Sequence, residues 1–231
     1  MNESTVSVVE TAIELLKREI ESGRLQPGER LPAEAELAAT MRLSRLSLRE
    51  AVRALTMAGV LEVRRGAGTF VTDLRPDTIL RRLGDFLELS QDVHMAELFE
   101  CRRVLEAEAS ALAAVRITDE ELDELDARIA AMATLTDPEE LVREDLAFHK
   151  AIATASRNPT LCQLCSTVAQ RTARARIWRA VVADGVADWT HQQHVSIVTA
   201  LRQRDSLATY TAASRHVAEV QNWLEQRLSH P

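Results

Sequence analysis

Ser44-Arg45-Leu46-Ser47-Leu48-Arg49-Glu50-Ala51-Val52-Arg53-Ala54-Leu55, followed after Gly59 by Leu61-Glu62-Val63-Arg64-Arg65-Gly66-Ala67-Gly68-Thr69-Phe70-Val71, is the stretch on which the fold turns. Ser44 is a residue type that caps helix N-termini. Leu48, Val52 and Leu55 recur at helical spacing and predict one buried stripe, while Arg45 and Arg49, four apart, share a face of the same helix. Gly59 closes that helix, and residues 60–71 read as two short strands about a glycine turn. Upstream, Leu25-Gln26-Pro27-Gly28-Glu29-Arg30-Leu31-Pro32 forces a turn, and Pro32 is placed to open a short helix through Glu34, Leu37 and Ala38. Before it, Val6, Val9, Ile13, Leu16 and Ile20 form the stripe of a scaffold helix ending near Ser22 and Gly23.

Three helices and a hairpin in this order are the layout of a winged helix-turn-helix, whose third helix enters the major groove of duplex DNA. The charges agree with it. Six arginines (Arg42, Arg45, Arg49, Arg53, Arg64, Arg65) face two acids, Glu50 and Glu62, within residues 40–70. On the shared face one of Arg45 and Arg49 suits a bidentate pair with guanine and the other a phosphate, with Ser44 and Ser47 as further phosphate donors. Arg65 at the hairpin tip, beside Gly66, suits the minor groove or its phosphates. Singly each arginine reads as a solvated side chain; their arrangement together favours DNA.

The net charge of -7 is not spread evenly. Residues 1–75 carry eleven basic and eleven acidic side chains, so all of the excess acid lies downstream. With 46% apolar residues, many of them alanine, and only 3% aromatics, closely packed helices are expected rather than a β-sandwich. No stretch reaches the ~20 apolar residues of a membrane span, and three cysteines without a secretory signal point to the cytoplasm and to no membrane partner. Cys162 and Cys165 have redox or zinc spacing, but with no second such pair and a helical setting they read as core residues.

From residue 77 onward the reading is all helix, over 77–89, 95–115, 119–133, 138–156, 159–183, 188–202 and 206–228. Thr118 with Glu121 has capping-box spacing, and Asp137-Pro138 and Asn158-Pro159 mark helix starts. The expected organisation is a DNA-binding head over 1–73, a linker at 74–76 and a helical domain over 77–231. Asp145 and His149 lie four apart on one helical face, with His194 and His216 on later helices. A carboxylate and three imidazoles suit Zn²⁺, Ni²⁺, Mn²⁺ or Fe²⁺. Spacing alone does not select these histidines from the six in the chain. There is no HExxH, nucleophile elbow or phosphate loop to make the set catalytic, so the chain is expected not to be an enzyme.

The spaced run Leu25-x-Pro27-Gly28-x-x-Leu31-Pro32-x-Glu34-x-x-Leu37-Ala38, then Ser44-Arg45-x-x-Leu48-Arg49-Glu50-Ala51-Val52-x-x-Leu55, then Gly59 and Gly66-x-Gly68-Thr69-Phe70-Val71, resembles the signature of the GntR family of bacterial regulators. The resemblance implies a homodimer on a palindromic operator, with Arg45, Arg49 and Arg65 touching DNA. Where several relatives carry an arginine early in the second helix this chain has Ala35, so the operator sequence does not carry over. Glu100-x-Arg102-x-x-x-Glu106, Asp145-x-x-x-His149, His194 and His216 are similar to the FadR-type C-terminal domain, FCD, of that family. That resemblance implies a divalent metal ion held by Asp145, His149, His194 and His216, with a small carboxylate effector completing its coordination. Arg102 is the residue expected to clamp a second carboxylate, although an i,i+4 pair with Glu106 explains it equally well. His191, one turn from His194, is expected to be exposed. Repression relieved by the effector is the implied response.

Overall fold

The computed structural model describes residues 7–76, 78–80, 95–183 and 185–229. The chain divides into two compact units, Met1–Leu87 and Glu88–Pro231. Among the described residues there are ten helices and one two-stranded sheet, a mainly α fold.

In the first unit, α1 (Val8–Glu21) begins at a capping box, in which the Ser7 side chain accepts from the backbone while Glu10 reaches back to the Ser7 amide. It buries Ala12 and Leu16 against α3; Val6 lies outside the described residues. Pro32 does not open α2 (Glu34–Thr40): the N-cap is Ala33, so the proline stands before the helix and ends the preceding extended segment. Ser44 caps α3 (Arg45–Met57) by accepting from the Ser47 amide at 3.0 Å. Leu16, Leu48, Ala51, Leu61 and Val71 meet in one fully buried core, and each large member contributes roughly 1.5–3 kcal/mol of burial.

The hairpin pairs β1 (Leu61–Arg64) with β2 (Gly68–Val71) antiparallel, Leu61 opposite Val71 and Arg64 opposite Gly68. A third extended segment joins it. Leu31 N–H donates to the Thr69 carbonyl at 2.8 Å and Val71 N–H to the Glu29 carbonyl at 2.9 Å, bridging Arg30 to Phe70. The wing is thus tied to the turn before α2 as well as to α3. At Gly68, φ is +115°, a backbone conformation that favours glycine, and a Cβ would stand 2.7 Å from Arg30 Nε, so the Arg30 side chain would have to shift.

The second unit contains α4 (Met95–Ala114), α5 (Asp119–Met132), α6 (Pro138–Ala155), α7 (Pro159–Arg171), α8 (Ala173–Val182), α9 (Val186–Arg202) and α10 (Ser206–Ser229). The three local start signals do what their chemistry predicts: Thr118 and Glu121 form a capping box, Asp137 caps α6 and Asn158 caps α7. The helix expected over 77–89 falls mostly outside the described residues. That expected over 159–183 is two helices, because the Ala169 carbonyl accepts from the Thr172 hydroxyl (3.0 Å) and Arg176 Nη2 (2.8 Å) and the ladder is interrupted at Thr172. Helix α4 packs against α6, α7, α9 and α10. Phe148, Ile152, Ile197, Leu201, Leu122 and Leu125 form the main core. Cys165 is buried beside Ala109 and Ala153, with Cys162 partly buried against them, as ordinary packing.

Candidate functional site

In the head, the N-terminus of α3 and the hairpin tip present the expected residues to solvent. Arg45, Arg49, Ser44, Arg65 and Gly66 are exposed and Ser47 is half-buried. The Ser44 and Ser47 hydroxyls lie 2.8 Å apart at the N-terminus of α3, an arrangement suited to a phosphate oxygen. Arg45 and Arg65 have no ion pair among the described residues. Arg49 differs from them. Its Nε donates to Glu34 Oε1 at 2.9 Å and its Nη2 to Glu34 Oε2 at 3.2 Å, a bidentate fork from α2 to α3. Hydrogen bonding by Arg49 holds the Glu34 carboxyl below its ordinary range. Ala35 is exposed, with nothing beyond Cβ to reach a base.

In the helical unit, the four residues spread over α6, α9 and α10 come together in the interior. One ligand atom from each of Asp145, His149, His194 and His216 lies within 4.8 Å of the others, and all four residues are buried. His149 Nε2 is 3.1 Å from His216 Nε2, and Asp145 Oδ1 is 3.2 Å from His194 Nε2 and 3.5 Å from His149 Nε2. Ring packing holds the imidazoles: Phe148 stacks on His194 with centroids 4.1 Å apart, and Trp189 on His216 at 5.7 Å. Burial pushes His194 below its ordinary pKa and His216 well below it, which favours the neutral, lone-pair-bearing ring. At Asp145 burial acts to raise the pKa, but Arg176 and His149 outweigh it and leave the carboxyl well below the carboxylate range. Nδ1 of His194 and Nδ1 of His216 are buried without a hydrogen-bond partner, and His194 Nε2 meets the Asp145 carboxylate at 3.2 Å. Buried imidazoles whose ring nitrogens crowd one another and an ionised carboxylate, with some nitrogens left unpartnered, suit a divalent cation.

Around them stands a ring of ions. His149 Nδ1 is 3.2 Å from Glu106 Oε2, the position of a carboxylate that orients a ligand imidazole. Arg102 is fully buried; its Nε donates to Glu106 Oε1 at 2.6 Å, so the i,i+4 pair exists. Its Nη1 and Nη2 nevertheless have no partner. Arg103 is exposed and His191 is half-buried rather than exposed, because α9 turns it partly into the interior. Sequence reading missed Arg176 and Arg179 on α8, both buried. Arg176 Nη1 binds Asp145 Oδ2, and burial brings Arg176 down to about 10. Arginines at 171, 174, 176 and 179 look in sequence like a solvated basic face. Two cavities flank the cluster, one of about 110 Å³ reaching Glu106 and His149 and one of about 30 Å³ reaching Asp145 and His216.

A winged helix-turn-helix head joined to an all-helical domain with a buried Asp and His cluster defines a regulator with a DNA-reading part and a sensing part. Comparison with known proteins agrees. The gntR family of bacterial regulatory proteins matches residues 8–71 and the FCD domain residues 97–219. The putative L-lactate dehydrogenase operon regulatory protein of Escherichia coli is 31% identical over 216 residues, 90% of this chain and 82% of that one. The galactonate operon transcriptional repressor of Escherichia coli is 29% identical over 93% of this chain and 95% of its own. Among solved structures, Streptococcus agalactiae GntR superposes with a TM-score of 0.65 at 28% identity, covering 93% of this chain and 99% of that one. The chain belongs to the GntR family of transcriptional regulators, in the group that carries an FCD domain, and is not an enzyme.

Proposed function

We propose that this chain is a repressor that binds a palindromic operator as a homodimer and is controlled by a small carboxylate held at a divalent metal ion in the helical domain. The head spans residues 1–73, residues 74–76 form the linker and 77–231 the sensing domain. Arg45 and Arg49 meet DNA from α3, one at a guanine edge in the major groove and the other at a phosphate, Ser44 and Ser47 hold phosphate, and Arg65 with Gly66 follows the minor groove or its phosphates.

The observation that carries the sensing half is the convergence of four buried ligand atoms within 4.8 Å. Asp145, His149, His194 and His216 would hold Zn²⁺, Ni²⁺, Mn²⁺ or Fe²⁺. The ion would supply Lewis-acid attraction for an effector carboxylate or hydroxyl. Arg102 offers two uncommitted guanidinium nitrogens to the same ligand, and its pairing with Glu106 holds the group in place. Two relatives are named for the operons of L-lactate dehydrogenase and galactonate, and lactate and galactonate are both hydroxy acids. Effector and operator affect each other reciprocally through one coupling free energy.

The test measures metal content of the purified chain, then operator affinity by fluorescence anisotropy with and without a panel of small hydroxy acids. About one metal per chain, lost in His149→Ala and His194→Ala, and weaker operator binding with at least one acid are expected. Unchanged metal content in both variants, or operator affinity indifferent to every acid, overturns the reading.

A further inference from the structure

The buried charges around the cluster do not balance. Among the described residues Arg102, Arg176 and Arg179 are buried with two buried carboxylates, Glu106 and Asp145. Glu106 is engaged by Arg102, and Asp145 by Arg176 and the histidines. Arg179 is the odd cation. It is 8% exposed, its side chain makes no hydrogen bond or ion pair among the described residues, and its guanidinium rests over the Trp189 ring at 4.5 Å and the Trp223 ring at 5.7 Å. Its Nε is buried with no partner, as is Arg176 Nε. Glu219, the other carboxylate whose charge reaches Arg179, already accepts from Trp189 Nε1 at 2.8 Å and pairs with Arg215 at 3.1 Å. A buried guanidinium nitrogen left without an acceptor is expensive unless an anion arrives.

The cavity in front of it is of the right kind. Arg176, Arg179, Thr190, Asp145 and His216 line a space of about 30 Å³, room for about one small polar group. Since Asp145 and His216 also belong to the cluster, a ligand seated there needs only a short chain to reach Arg179. A divalent ion adds two positive charges to the existing excess of one, which a single carboxylate leaves far from neutral.

We propose that this cavity is a second anion subsite, so that the effector is a dicarboxylate with one acid group at the four-residue cluster and the other against Arg179. The proposal rests on the reading of the cluster as a metal centre that holds the effector. It assigns Arg179 a role separate from that of Arg102, whose open nitrogens belong to a different helix.

L-Lactate and L-malate test it, because malate keeps the hydroxy-acid head and adds one CH₂-carboxylate. Each is titrated by calorimetry into the Zn²⁺-loaded full chain and into Arg179→Met. Wild type should prefer malate by at least about tenfold, as a charge-assisted pair supplies, and Arg179→Met should lose that preference while its lactate affinity and zinc content stay as they were. If Arg179→Met fails to fold, Arg179→Lys is used, which keeps the charge but loses the planar fork and should cut the preference partway. A wild type that binds lactate and malate alike, or a preference unchanged in either variant, overturns the subsite and leaves the metal centre standing. If zinc binds but neither acid does, the subsite is overturned for this head group; if zinc does not bind at all, the reading of the centre falls and the subsite with it.

Discussion

Position 149 shows how one side chain is held for two tasks. The His149 ring turns Nε2 toward Asp145 and His216 and Nδ1 toward Glu106. Glu106 therefore sets the ring's orientation without entering the cluster. Glu106→Gln should keep the shape and weaken metal binding by about 10–100-fold, read by competition with a chromophoric chelator; unaltered affinity would show that Glu106 serves Arg102 alone. In the head the comparable case is Arg49. Its fork to Glu34 rigidifies the guanidinium and offsets its charge. Glu34→Gln should free Arg49 for phosphate, raise non-specific DNA affinity and steepen the slope of log affinity against log salt by about 0.9. An unchanged slope would mean that Arg49 stays where it is when the carboxylate charge is gone.

Among the elements, the wing depends on its neighbours more than on its own two strands. Because β2 also pairs with residues 29–31, a disturbance at Gly68 reaches the turn before α2. Gly68→Ala puts a Cβ where Arg30 lies and strains a positive φ, at a cost of about 1–3 kcal/mol; urea denaturation should show it in the head. Helix α8 is the corresponding piece of the sensing unit. It exists separately because Thr172 and Arg176 divert the Ala169 carbonyl, and the break aims Arg176 and Arg179 inward. All three tryptophans of the chain gather here: Trp178 and Trp223 have centroids 5.2 Å apart, and Arg179 lies over both Trp189 and Trp223. Metal binding at His216, on which Trp189 stacks, should therefore change the intrinsic fluorescence. Zinc titration with no spectral change in a chain that demonstrably takes up zinc would separate Trp189 from the centre.

For the whole molecule, the two units have separate cores and separate tasks. A ligand that binds only the folded helical unit stabilises that unit, by about 2.7 kcal/mol at one hundred times its dissociation constant. Scanning calorimetry of the metal-loaded chain should then show the sensing unit's transition move down when EDTA is added while the head's stays fixed. A single transition that shifts as a whole would mean that the units unfold together. Net charge also divides by unit. Residues 1–75 are balanced and residues 40–70 carry six arginines against two acids, so the excess acid belongs to the rest of the chain.

Local chemistry carried much of this into the amino-acid order. The stripe of Leu48, Val52 and Leu55, the caps at Ser44, Thr118, Asp137 and Asn158, and the glycines of the wing each act within a few residues, and such signals are visible along a chain. The Asp145 and His149 pair was visible for the same reason, but adding His194 and His216 needed a family resemblance, since spacing of 45 residues and more says nothing about proximity. Packing settled what periodicity left open: that Arg102 is buried with two nitrogens open, that Arg49 is forked to Glu34 fifteen residues away, and that Arg176 and Arg179 face inward. The physical reason is that a helix offers the same arginine to water or to the core according to which neighbours cover it, and those neighbours come from distant parts of the chain.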